Sequence, residues 1–132
     1  MNTTCTCILL RKASRKVTAF YDAALAPAGI GVAQYSLLRR IRHLGQPSLT
    51  ELARESDLDR STIGRNVRVL ERMDLVRLAH GEDQREATVS ILPRGADLVV
   101  MCEPLWEEAQ RNIEDTIGAE AVDALRRFSS VL

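Results

Sequence analysis

Apolar residues recur along most of this chain at helical spacing, and the places where that rhythm stops divide it into elements. From Cys5 to about Ala26, the residues Ile8, Leu9, Ala13, Val17, Phe20 and Ala24 keep a near-helical period, with Arg11, Lys12, Arg15 and Lys16 on other faces. Pro27-Ala28-Gly29 stops that run. A second helix is predicted from roughly Val32 to Leu44, with Tyr35, Leu38, Ile41 and Leu44 inward, closed by Gly45-Gln46-Pro47. Ser48-Leu49-Thr50-Glu51 has the form of a capping box and opens a short helix to about Glu55. Asp59 caps another helix reaching about Met73. Val76 and Leu78, then Ala87, Val89 and Ile91, alternate on either side of Gly81-Glu82-Asp83-Gln84, the signature of a β-hairpin. Pro93 suits the first turn of a long helix running to about Ile117, Gly118 breaks it, and a last helix carries Val122, Leu125, Phe128 and Val131.

The order α-α-α-α-β-β-α-α predicts a mainly α fold with a small β-wing, in one domain of 132 residues. Residues 31–95 form a winged helix-turn-helix core, and residues 1–30 and 96–132 supply dimerisation helices. The first and last helices are amphipathic, and neither is needed to close the small helical core around residues 32–92. Their apolar stripes (Ile8, Leu9, Val17; Leu105, Ile113, Val122, Leu125, Phe128) suit an interface with a second copy. No apolar run approaches a membrane span, and the N-terminus lacks the pattern of a secretion signal. With three cysteines, the expected setting is a reducing cytoplasm in which the thiols stay free.

Net charge is zero, yet it is unevenly spread: residues 1–47 carry +6, residues 48–98 carry −2 and residues 99–132 carry −4. The middle segment is not basic in total, so affinity for a polyanion has to come from where its arginines point. On the helix from Arg60, the residues Ser61, Arg65, Arg68 and Arg72 share one continuous face, while Ile63, Val67 and Leu70 take the opposing one. A helix of this kind fits the major groove of duplex DNA, N-terminal end first, which brings Arg60, Ser61, Thr62 and Arg65 to base edges. Arg65 can fork onto a guanine, and Arg68 and Arg72 suit phosphates. Ser48 caps the preceding helix. In the hairpin, Asp83 stands two residues from Arg85 and can hold that guanidinium for a narrow minor groove. For each arginine taken alone, a solvated helix face is the competing reading.

Three of these segments also carry a resemblance. Asp59-Arg60-Ser61-Thr62-Ile63, Leu70-Glu71-Arg72-Met73-Asp74-Leu75-Val76 and Asp83-Gln84-Arg85-Glu86-Ala87, with Gly95 downstream, are similar to the signature of the MarR family of bacterial transcription regulators. The resemblance spans essentially the whole chain. It implies an obligate-type homodimer on a pseudo-palindromic operator, usually a repressor released by a small ligand or by oxidation. Pro93 stands where the family usually has threonine, and Asp74 where it usually has glycine. The segment from Cys7 to Tyr21 resembles the organic-hydroperoxide-sensing (OhrR-like) branch, including a tyrosine fourteen residues after the cysteine. That branch would place a second tyrosine where this chain has Val32.

Cys5 and Cys7, at the start of the first helix near Arg11 and Lys12, are candidate redox thiols, a helix N-terminus and cations both favouring thiolate. The alternative for Cys7 is a small hydrophobe in a dimer seam; Cys102 lies mid-helix among apolar neighbours and reads as packing. A ligand pocket between the dimerisation helices and the winged core would be lined by Phe20, Tyr21 and Tyr35, with Arg15 or Arg39 pairing with an aromatic acid. Gathering Cys5, Cys7 and Cys102 with His43 or His80 around a metal has only a lone C-x-C behind it, so no metal or cofactor is expected. Catalytic spacings and phosphate-binding loops are missing from the sequence, so the expectation is a regulator and not an enzyme. The rival is a winged-helix protein-interaction or dimer scaffold without DNA binding, which predicts neutral or acidic residues on the Arg65 face.

Overall fold

The computed structural model describes residues 4–80 and 86–131. Its elements are α1 (Thr6–Leu25), a 3-10 turn (Ala26–Ala28), α2 (Val32–Leu44), α3 (Leu49–Ser56), α4 (Arg60–Arg72), β1 (Val76–His80), β2 (Ala87–Ile91), α5 (Pro93–Ile117) and α6 (Ala119–Val131). The punctuation follows local chemistry. Gly29 ends the 3-10 turn in the left-handed region at φ 77°, a conformation glycine adopts without a Cβ penalty. The Ser48 hydroxyl accepts from Glu51 N–H at 3.0 Å, and Asp59 Oδ1 accepts from Thr62 N–H at 2.7 Å. Each satisfies a donor that its helix would otherwise leave open. Pro93 occupies the first turn of α5, where its missing N–H costs nothing.

Helices α2, α3 and α4 pack about Leu38, Ile41, Leu52, Ile63, Val67 and Leu70, all fully buried. Leu25 of α1 and Val99 and Cys102 of α5 belong to the same buried cluster. This corrects the expectation that the first helix is dispensable for closing the core. Three short helices leave the back of α2 open, and α1 with the long α5 covers it. The Tyr21 hydroxyl donates to Gln110 Oε1 and ties α1 to α5 at that seam. Helix α6 differs: it touches α5 and buries none of its own residues.

The wing is an antiparallel pair in which Val76 faces Ile91 and His80 faces Ala87. Its base is clamped where Leu92 N–H donates to the Leu75 carbonyl at 3.0 Å. Gly95 approaches so closely that a Cβ there would lie 2.1 Å from Leu75 O. Asp74, between α4 and β1, takes the left-handed conformation at φ 59°. Aspartate is one of the few non-glycine residues that tolerate it. Among the described residues no helix is long and apolar enough to cross a membrane.

Candidate nucleic-acid interface

Helix α4 is divided as its pattern dictates. Ile63, Val67 and Leu70 have no exposed surface, whereas Ser61, Arg65, Arg68 and Arg72 are exposed. The buried row fixes the helix about its own axis, and so fixes the direction in which the arginines leave it.

The N-terminal turn is pre-arranged. Asp59 Oδ1 accepts from the Ser61 hydroxyl at 2.8 Å as well as from Thr62 N–H. These bonds, the Thr62 amide foremost and then the Ser61 hydroxyl, hold the Asp59 carboxyl below the usual carboxylate range. Arg65 Nη2 reaches back to Thr62 Oγ1 at 3.4 Å, so the guanidinium lies over the helix start. Leu49, Arg60, Ser61, Gly64, Arg65 and Arg68 line a surface hollow of about 460 Å3 along this face. Ser48 is half-buried behind it, and its backbone bridges Thr88 of the wing. Asp83 and Arg85 lie outside the described residues.

The effector candidates stand in three different surroundings. Tyr35 is 1% exposed, packed with its ring 6.4 Å from that of Trp106, and the Arg39 guanidinium stacks 5.1 Å over the same indole. Tyr21 is buried beside the exposed Phe20, the two rings edge to face at 6.4 Å. Burial, first among the causes, pushes both tyrosine hydroxyls above the ordinary phenol pKa. Arg15 stands apart on an exposed surface of α1 with Leu10, Arg11 and Ser14. A cavity of about 410 Å3 opens elsewhere, between α1, α2 and α4; Thr18, Gln34, Leu37, Asn66 and Val69 are in its wall, and among the described residues Asp22 is its one charged lining residue. Asp22 also accepts from Val32 N–H at 2.8 Å, tethering α1 to the start of α2. Sequence periodicity gives no sign of that cavity or of the Trp106 stack, since both arise from packing between distant segments.

Cys5 and Cys7 are exposed and Cys102 is buried. The amide N–H groups of Ile8, first, and Cys7 at the open end of α1 favour the Cys5 thiolate and lower its pKa. Burial raises that of Cys102.

The sequence profile of the MarR family matches residues 30–87, from just before α2 to the first residue of β2. The fold is similar to that of the transcriptional regulator MosR of M. tuberculosis, solved in complex with DNA, at 28% identity and a TM-score of 0.84, covering 95% of this chain and 93% of that one. BpsR of Bordetella bronchiseptica, whose DNA binding is regulated by 6-hydroxynicotinic acid, is 22% identical with a TM-score of 0.83, over 100% and 98% of the two chains. A MarR variant from E. coli, complexed with operator DNA, is 21% identical at a TM-score of 0.79, over 91% and 87%. At these lower identities the likeness is one of fold. A curated relative, adenylosuccinate synthetase 1 of Cupriavidus pinatubonensis, is 44% identical over 63 residues. That match takes in 48% of this chain, which spans only 14% of the length of that enzyme.

Proposed function

We propose that this chain, whose residues 30–87 match the MarR profile and whose fold is similar to that of MosR, is a DNA-binding transcriptional regulator of that family, acting as a homodimeric repressor on a pseudo-palindromic operator. One observation carries the reading: a recognition helix whose apolar side is fully buried and whose opposite side presents Ser61, Arg65, Arg68 and Arg72 to solvent. Major-groove docking needs that division, with hydrogen-bonding side chains at the leading end and cations along the flank. The rival scaffold, which needs a neutral or acidic face there, finds three arginines instead.

The homodimer reading rests on apolar surface that this chain does not cover. Ile8, Leu9 and Phe20 on α1 and Leu125, Phe128 and Val131 on α6 are large, apolar and exposed. Exposed apolar side chains on these two helices suit an association face, and a two-fold pair would set two recognition helices about 34 Å apart, one turn of DNA.

Release by a small effector follows from the family. Two chemistries compete: an aromatic acid paired with Arg39 beside Trp106, and oxidation at Cys5 or Cys7. Anisotropy titration on an operator selected from random duplexes tests both arms. Arg65→Ala is expected to lose specific binding, and unchanged affinity would remove α4 as the reading element. Release by an aromatic acid that Arg39→Ala abolishes identifies the first chemistry. Release by organic hydroperoxide that is lost on replacing Cys5 and Cys7 with serine identifies the second.

A further inference from the structure

Both outer edges of the wing are tied back to segments that precede it, the α2–α3 connection and α4. Leu78 and Val89 face each other across the hairpin, yet their amides point away from the ladder. Val89 N–H donates to the Pro47 carbonyl at 2.9 Å, and Leu78 N–H donates to Glu71 Oε2 at 2.9 Å. Outward amides are what a non-hydrogen-bonded antiparallel pair leaves, and an open edge amide otherwise takes water or another strand. Here the β2 edge is closed by backbone and the β1 edge by a carboxylate.

Glu71 belongs to the last turn of α4, between Arg68 and Arg72 in sequence, and is half-buried. Its bond therefore joins the helix that presents the arginines to the strand that carries the hairpin. A backbone link, Leu75 N–H to the Leu70 carbonyl at 3.0 Å, lies at the base of the wing, three residues before Leu78. Glu71 holds β1 itself, three residues farther along the chain.

We propose that Glu71 is a positioning residue for DNA binding: it sets the angle of the wing against the recognition helix, so that both reach the duplex together. This rests on reading the hairpin as a DNA-contacting wing. The sign of the effect makes the idea testable. A carboxylate on a helix facing phosphates repels them, so electrostatics alone has its removal tighten binding. Positioning has the acceptor's removal weaken it.

The experiment measures affinity of the full chain for a selected operator duplex at fixed salt, for Glu71→Ala, Glu71→Gln, Arg85→Ala and the Glu71→Ala/Arg85→Ala pair. Glu71→Ala is expected to weaken binding roughly fivefold, the scale of coupling within one hydrogen-bonded network. Glu71→Gln, which keeps an acceptor for Leu78 N–H and drops the charge, is expected to bind at least as tightly as the parent. Glu71→Met, which keeps the stem without an acceptor, is expected to match Glu71→Ala and covers the case in which the alanine variant folds poorly. On the Arg85→Ala background, removing Glu71 should cost nothing more. The proposal is overturned if Glu71→Ala and Glu71→Met bind as well as the parent, if Glu71→Gln is as weak as they are, or if their full loss persists without Arg85. Should Arg85→Ala by itself bind like the parent, the wing reading fails first and takes the proposal with it.

Discussion

Replacing Gly95 by alanine would set a Cβ 2.1 Å from Leu75 O, 2.9 Å from Ile91 Cγ1 and 3.0 Å from Leu75 C. The nearest atom is backbone, so no side chain can swing aside. The first turn of α5 has to part from the wing base by roughly 1 Å, an overpacking that costs about 1–3 kcal/mol. Such a shift also strains the bond from Leu92 N–H to the Leu75 carbonyl, worth about 1 kcal/mol. Together these make about 2–4 kcal/mol, a fall in Tm of roughly 10 °C for a chain of this size. Gly64 is the internal control. A Cβ there meets only the Arg68 side chain, at 3.6 Å, inside a regular helix. Gly64→Ala should therefore gain about 0.8–1 kcal/mol of helix propensity. Thermal unfolding followed by circular dichroism reads both variants. One substitution with opposite signs at two glycines is the expected result. A Gly95→Ala protein that melts within about 2 °C of the parent would refute the close-approach argument.

Other outcomes follow from single features. Asp74 holds φ 59° at the end of α4, so Asp74→Gly should raise stability by about 0.5–1 kcal/mol in denaturant titration, the left-handed penalty less glycine's added unfolded-state entropy. Cys5, exposed and with its pKa lowered by helix-end amides, should be alkylated by iodoacetamide near neutral pH faster than a free thiol of ordinary pKa, while buried Cys102 reacts only on unfolding; mass-mapped alkylation rates check the order. Leu125→Glu with Phe128→Glu places two charges on a helix that buries nothing within its own chain. Sedimentation should show a dimer become a monomer without loss of helix signal, and an unchanged mass would remove α6 from the interface.

Much of the fold was legible because its signals are local. Hydrophobic period, the caps Ser48 and Asp59, and the breaks at Gly29, Gly45 and Gly118 placed the first five helices to within a residue or two. The outward row on α4 followed from the same periodicity, since burying Ile63, Val67 and Leu70 leaves Arg65, Arg68 and Arg72 nowhere else to point. What stayed hidden depends on segments far apart in sequence. That Leu25 and Cys102 complete one core, that Arg39 stacks on Trp106, and that Glu71 closes the β1 edge are consequences of tertiary packing. Tyr35 shows the limit from the other side. An aromatic at helical spacing reads equally as core or as ligand contact, and its 1% exposure shows the side chain to be packed within the core.

On the proposed function, the exposed face of α4 reads duplex DNA. The most direct measurement is the affinity of Arg65→Ala, against the parent protein, for a selected operator and for a scrambled duplex at two salt concentrations. Arg126, which pairs with Asp123 at 3.2 Å on α6, supplies the control as Arg126→Ala. Arg65→Ala is expected to lose about 1–3 kcal/mol on the operator, roughly tenfold or more in Kd, and much less on the scrambled duplex. Arg126→Ala should change neither. Equal losses on both duplexes, or none on the operator, would contradict that reading.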